Sequence, residues 1–326
     1  RAGRLPGLSW RRQGRWLPPG QQQLQLDIVV GGSGGDTIYA SDNDAEVMDK
    51  DIVLGDNGKV NFQVHQTDNP YATILKAESL REDDFGNDVY HGGIDVIHTF
   101  EGEDIVIAGD MGDEILAGEG NYRDVVLGDY GVVDFDAATE LVDYISSSDS
   151  KYGGDDDIEV GDGDDYVIGG IGSDYINIRR SDEEKLGTDS GRDVILGDNG
   201  YADFAIVSSE TSVSGKASVI SVIESSDAEY GDADHIYSAA GDDIVVGGSG
   251  GDTIYASDDV SGVVDKDVVL GDNGKVDFQV HSNDIGHDEH LYTPLAPYAT
   301  ILKAESLRED DLGNGDYHGG ADVIHT

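Results

Sequence analysis

Residues 151–177 read KYGGDDDIEVGDGDDYVIGGIGSDYIN and divide without a gap into KYGGDDDIE, VGDGDDYVI and GGIGSDYIN. The fourth position is Gly154, Gly163 or Gly172; the sixth is Asp156, Asp165 or Asp174; the eighth is Ile158, Val167 or Ile176. Six residues rich in glycine can turn sharply, because glycine adopts positive φ at little cost. One apolar residue between polar neighbours then describes a very short strand with one buried side chain. A nine-residue period sustained along a chain is the mark of a solenoid, in which each unit buries its apolar residue only against the next.

The same division holds at 90–116 and 229–255. A fourth nonamer carries Asp124, Asp193 or Asp267. A fifth is built on G-D-x-G-x-[VA]-x-F, with Phe62, Phe135, Phe204 or Phe278 at its eighth position. That position is Val, Ile or Phe in every nonamer, so the register is supported independently of the aspartates. Met111, Tyr122, Asp49, Asp232 and Asp265 replace glycine at the fourth position and weaken their turns. A larger repeat encloses these units. Residues 28–63 match 244–279, 71–84 match 298–311, and 95–99 match 322–326.

Composition narrows the function. The net charge is −48, from 68 acidic and 20 basic residues, which repels nucleic acid and anionic membranes and repels the chain itself unless cations neutralise it. There is no cysteine, which excludes disulfides, thiol catalysis and cysteine–zinc sites. No apolar run approaches the length of a membrane span. Residues 1–25 differ from the rest: they hold Arg1, Arg4, Arg11, Arg12 and Arg15, both tryptophans and no acid, and read as a disordered basic leader or a gene-model artefact. The remainder divides into blocks at 26–89, 90–150, 151–228 and 229–316, with the start of a fifth at 317–326.

The stretch GGSGGDTIYASD, at Gly31 and again at Gly247, has three competing readings. A flexible linker, a serine nucleophile elbow at Ser33 and Ser249, and a phosphate loop all fit it locally. The elbow lacks a helix after it and a distant His–acid pair, and the phosphate loop lacks G-K-[ST]. HDEH at 287–290 lacks the H-E-x-x-H spacing of a zinc site. His91, His98, His318 and His325 fall outside the eighth position and read as exposed polar residues. Carboxylate groups that recur in every repeat, Asp155-Asp156-Asp157 among them, point to ion ligation and away from a single active site; no enzymatic activity is expected.

GGSGGDTIY at 31 and 247 and GGIGSDYIN at 169 fit G-G-x-G-x-D-x-U-x, and the chain thereby resembles the calcium-binding nonapeptide family of the repeats-in-toxin (RTX) proteins over most of residues 26–326. The resemblance implies an all-β fold, a parallel β-roll with two nonamers per coil, its blocks interrupted by β-hairpin excursions. It implies calcium held by Asp27, Asp36, Asp51, Asp95, Asp104, Asp113, Asp124, Asp156, Asp165, Asp174, Asp193, Asp234, Asp243, Asp252, Asp267 and Asp322. Backbone carbonyls of Gly32, Gly34, Gly170, Gly172, Gly248 and Gly250 would complete the shell. Ca²⁺ accepts six to eight such oxygens in flexible geometry. Asp56, Asp129, Asp198 and Asp272 of the G-D-x-G blocks are candidates to close further sites.

With two nonamers per coil, stacking neighbours are Asp156 with Asp174, Asp165 with Asp193, Asp95 with Asp113, Asp104 with Asp124, Asp234 with Asp252, Asp243 with Asp267, Asp27 with Asp51, and Asp36 with Asp56. Successive carboxylates would repel each other unless a cation sat between them. The fourth nonamers, such as DVVLGDNG, are apolar at positions seven, eight and nine, so they require a cover. TILKAESL (73–80), ELVDYISS (140–147) and ASVISVIESS (217–226) are β-prone and are expected to fold back over the roll and separate one block from the next. The expected function is a calcium-binding stalk or adhesin of the cell surface or extracellular space, exported unfolded by a type I route, with a surface or matrix ligand as partner. The alternative is the export and folding module of a secreted toxin, protease, lipase or epimerase.

Overall fold

The computed structural model describes residues 8–12, 24–40, 48–66, 71–81, 92–186, 191–209, 212, 215–256, 266–281, 297–307 and 321–325. The described residues form strands and turns, and no helix among them is long and apolar enough to cross a membrane. Three layers account for nearly all of the strands.

Successive short strands alternate between two parallel sheets. The inner sheet runs Leu24–Val30, Ile52–Leu54, Ile105–Ile107, Val125–Leu127, Tyr166–Ile168, Val194–Leu196, Ile244–Gly248 and Val268–Asp272. The outer sheet runs Thr37–Tyr39, Val96–His98, Glu114–Asn121, Asp157–Asp162, Tyr175–Ile176, His235–Tyr237, Thr253–Tyr255 and Val323–His325. One strand from each makes a rung. Position eight of the nonamers in these sheets points into the space between them, except at the open end, where Ile324 is exposed. Val53, Val106, Val126, Val167, Ile195 and Val245 of the inner sheet meet Ile38, Ile97, Ile115, Ile158, Ile176, Ile236 and Ile254 of the outer in one dry core.

The third layer explains the extra apolar positions. Gly58–His65, Tyr71–Ser79, Gly131–Phe135, Val142–Ser147, Gly200–Ser208, Lys216–Ser225, Gly274–His281 and Tyr298–Ser306 form one antiparallel sheet, neighbours in sequence being neighbours in space. This cover sheet lies on the inner sheet, where Leu54, Ile107, Leu127, Ile168, Leu196 and Val246 pack against Ile74, Ala77, Val133, Ile145, Ile223 and Val276. The inner strands are buried on both faces and therefore read as continuous apolar triplets, as parallel sheets with both faces covered do. Outer strands such as Thr37-Ile38-Tyr39 bury only the middle residue and read as alternation.

The three segments expected to cover the roll do so, but they do not separate the blocks. Each block inserts one hairpin into the cover while the two parallel sheets run on beneath it: Ile52–Leu54 pairs directly with Ile105–Ile107 across the first hairpin. Two cover strands per block match two inner strands per block, so both sheets advance by the same distance and can stay in contact throughout.

The fifth nonamers also depart from the expected roll. Phe62, Phe135, Phe204 and Phe278 belong to the cover sheet, each at a shift in strand register. Phe135 and Phe278 are buried under it, while Phe62 is 45 % exposed. Leu8–Arg12, inside the stretch read as a disordered leader, forms an antiparallel strand on Leu26–Val30, where it closes the end of the inner sheet. An open sheet end offers unpaired N–H and C=O groups, and a capping strand satisfies them.

Candidate metal centre

The recurrent L-G-D-x-G is the local device that builds the site. Its leucine (Leu54, Leu127, Leu196) ends an inner strand with its side chain under the cover. Its second glycine (Gly58, Gly131, Gly200) passes directly over that leucine, and a β-carbon there would strike the leucine methyl groups. The chain can therefore rise into the cover sheet only at glycine. The first glycine and the aspartate face the turn side of the rungs, where the chain passes from inner to outer sheet.

Two ladders of aspartate run along the two edges of the stack. On the inner-to-outer edge the backbone N–H of each aspartate donates to Oδ1 of the next: Asp36 to Asp95 (2.7 Å), Asp95 to Asp113 (2.7 Å), Asp113 to Asp156 (2.7 Å), Asp156 to Asp174 (2.8 Å), Asp174 to Asp234 (2.9 Å), Asp234 to Asp252 (3.0 Å) and Asp252 to Asp322 (3.2 Å). On the opposite edge the same bond links Asp27, Asp51, Asp104, Asp124, Asp165, Asp193, Asp243 and Asp267 in turn.

Neighbours predicted within a block are neighbours here, except one. Asp36 meets Asp95 and not Asp56, because the hairpin after Asp56 leaves the roll and the next outer strand begins at Val96. The ladders also continue between blocks, as at Asp113–Asp156 and Asp174–Asp234. What lies between successive carboxylates is a peptide N–H on Oδ1, a contact the charge argument alone did not foresee.

The second oxygen is the chemically informative one. Oδ2 of Asp95, Asp113, Asp156, Asp174, Asp234 and Asp252 is buried with no hydrogen-bond partner. Most of these oxygens lie, together with a carbonyl oxygen, where the β-carbon of any residue other than glycine would stand at a position-one glycine. A side chain at Gly55 would stand 2.5 Å from Asp95 Oδ2 and would also strike the Ala108 carbonyl. One at Gly128 would strike Asp156 Oδ2 and reach within 2.5 Å of the Gly169 carbonyl oxygen. The pattern repeats at Gly169 with Asp174 and the Gly197 carbonyl, at Gly197 with Asp234 and the Gly247 carbonyl, and at Gly247 with Asp252 and the Gly271 carbonyl.

Sequence reasoning missed these position-one glycines. Their signal was present, since glycine follows nearly every inner strand and almost no outer one. The glycines expected to supply carbonyls adopt the left-handed turn anticipated for them: φ is +93° at Gly32, +85° at Gly34, +117° at Gly170, +129° at Gly172, +111° at Gly248 and +113° at Gly250.

Burial raises these carboxyl groups. Burial is the leading cause in each case, and it pushes Asp56 up to about 8, Asp95 to about 7, Asp113 to about 9, and Asp174 and Asp252 to about 7. Asp129, Asp156, Asp198 and Asp234 are raised well above the usual range by burial and by neighbouring carboxylates. A buried carboxylate costs several kcal/mol unless a proton or a cation neutralises it. Among the described residues no three His, Asp or Glu side chains are grouped so as to hold a metal by themselves. Carboxylate and carbonyl oxygens are hard donors, of the kind calcium takes and zinc sites seldom rely on.

The competing local readings find structural roles. Ser249 Oγ donates to the Ala228 carbonyl (2.7 Å) and accepts from the Asn273 amide (3.1 Å), so its hydroxyl is a buried link between turns. His98 and His325 lie on the outer face; His325 stacks on Tyr255, and the His98 ring is tilted against Tyr39. Asp155 and Asp157 pair with Arg180, while Asp156 between them is buried on the ladder. HDEH, His91 and His318 lie outside the described residues. Compared with family models, with curated proteins and with solved structures, the chain matches none.

Proposed function

We propose that this chain is a calcium-binding β-roll array of a secreted or cell-surface protein, folding when calcium binds and serving as a structural or adhesive stalk. The observation that carries the reading is the row of buried Oδ2 atoms without hydrogen-bond partners on Asp95, Asp113, Asp156, Asp174, Asp234 and Asp252. Calcium would be held by these carboxylates together with position-one carbonyls such as those of Gly169, Gly197 and Gly247, and the bound ion would supply the positive charge that the −48 chain lacks. Extracellular calcium modules work at roughly 10⁻⁴ to 10⁻³ M, the range in which such an array would be unfolded inside a cell and folded outside. A rigid stack with no enzymatic site would then carry a contact to an extracellular surface or matrix ligand at a distance from its attachment.

The test is a calcium titration of the chelated protein followed by far-ultraviolet circular dichroism, with magnesium as the comparison ion. Strand signal should appear with calcium and vanish with chelator. A strand signal indifferent to chelation would overturn the coupling of folding to calcium.

A further inference from the structure

Asp56, Asp129 and Asp198 stand apart from the ladder aspartates in what their oxygens do. Asp129 Oδ1 accepts the N–H of Gly154 (2.9 Å) and Oδ2 accepts the N–H of Ile171 (2.6 Å). Asp56 Oδ1 accepts from Gly93 (3.3 Å) and Oδ2 from Asp110 (2.8 Å). Asp198 Oδ1 accepts from Asp232 (3.3 Å) and Oδ2 from Ser249. In these three copies the two amides belong to the turns that enter two successive outer strands. Gly154 precedes Asp157–Asp162, and Ile171 precedes Tyr175–Ile176.

Glycine clears the space for this contact. A β-carbon at Gly153 or Gly170 would strike the Asp129 carboxylate, one at Gly231 or Gly248 that of Asp198, and one at Gly109 that of Asp56. The three aspartates are 6 % exposed or less, so each contact is made out of water.

The position in the chain gives the reason. At these rungs the polypeptide leaves for the cover hairpin before returning to the outer sheet. Asp129 and Gly154 are 25 residues apart, Asp198 and Asp232 are 34 apart, and Asp56 and Gly93 are 37 apart. The short covalent turn that elsewhere fixes the next carboxylate is missing there. The G-D-x-G carboxylate replaces it with two hydrogen bonds.

We propose that Asp56, Asp129 and Asp198 are clamps carried by the protein itself and not calcium ligands: each ties two successive turns together and so positions the ladder carboxylates that follow, Asp95 and Asp113, Asp156 and Asp174, or Asp234 and Asp252. The proposal rests on the calcium reading for its functional consequence, but the clamp itself does not. Both oxygens of Asp129 already accept a backbone N–H, whereas the Oδ2 atoms of Asp156 and Asp174 accept none.

The experiment compares the full chain with Asp129→Asn and with the ladder variant Asp174→Asn. It measures bound calcium per chain by calorimetry and elemental analysis, the calcium midpoint of folding, and amide hydrogen exchange at Gly154 and Ile171. Asp129→Asn should keep the calcium count, speed exchange at both amides, and raise the calcium midpoint by less than about tenfold, because the roughly tenfold cost of one hydrogen bond to a carboxyl is shared among all the ions that bind with folding. Asp174→Asn should lower the count. Loss of one calcium in Asp129→Asn, or unchanged exchange at both amides, overturns the clamp. If the parent chain binds no calcium, the calcium reading fails by itself, and amide exchange still decides the clamp. If Asp129→Asn does not fold, Asp56→Asn read at Gly93 and Asp110 answers the same question.

Discussion

Replacing Gly128 by alanine tests the contact on which the candidate site depends. The new methyl carbon would stand 2.5 Å from the Gly169 carbonyl oxygen and closer still to Asp156 Oδ2. A relaxed carbon–oxygen contact needs about 3.3 Å, so two rungs must separate by roughly 0.8 Å. The Gly128 N–H donates to the Ile168 carbonyl at 3.0 Å, and that opening takes the bond out of hydrogen-bonding range. A lost buried hydrogen bond together with overpacking amounts to about 3 kcal/mol, roughly a 150-fold shift in the folding equilibrium. Gly32→Ala is the control. Gly32 has φ of +93° but nothing within 4 Å of its β-position. Its cost is backbone strain alone, about 1–2 kcal/mol, still below the loss expected at Gly128. Urea denaturation in saturating calcium measures both. If Gly128→Ala proves no more destabilising than Gly32→Ala, the carboxylate and carbonyl do not converge on Gly128 as described.

Two further outcomes are expected. In chelator, folded Asp56, Asp95, Asp113 and Asp252 ionise between about 7 and 9, whereas unfolded carboxyls ionise near 4. The folded chain therefore holds protons that the unfolded chain has released, and stability falls as pH rises through that window. In chelator the strand signal lost near neutral pH should therefore be recovered in part as pH falls from about 8 to about 5, and calcium should remove that dependence; a strand signal in chelator that grows with pH contradicts this. Ile195→Ala, between the parallel sheets, and Leu196→Ala, under the cover, should each cost about 2–5 kcal/mol, while Tyr39→Ala, 63 % exposed, should cost about 0.5 kcal/mol or less. A Leu196→Ala variant as stable as the parent would mean that the cover sheet does not seat on the roll.

The sequence by itself determined the short strands of the two parallel sheets and their inward residues, but not that the fifth nonamers join the cover or that Leu8–Arg12 is a strand. A nine-residue period with one invariant apolar position leaves a single choice of what to bury, and the surplus apolar residues beside Val126 and Ile195 announced a cover before any cover was visible. Two things were decided only in three dimensions. The first is which rungs touch. Asp36 and Asp95 lie 59 residues apart, and the hairpin between them hides their adjacency from any reading of spacing. The second is what each aspartate oxygen meets. Asp129 and Asp156 are the same residue type in neighbouring repeats, yet one carboxylate is spent on two backbone amides and the other keeps an oxygen without a hydrogen bond. Composition gives the charge of a carboxylate, but its use depends on which donors come within about 3 Å, and here those donors arrive from turns 25 and 42 residues away.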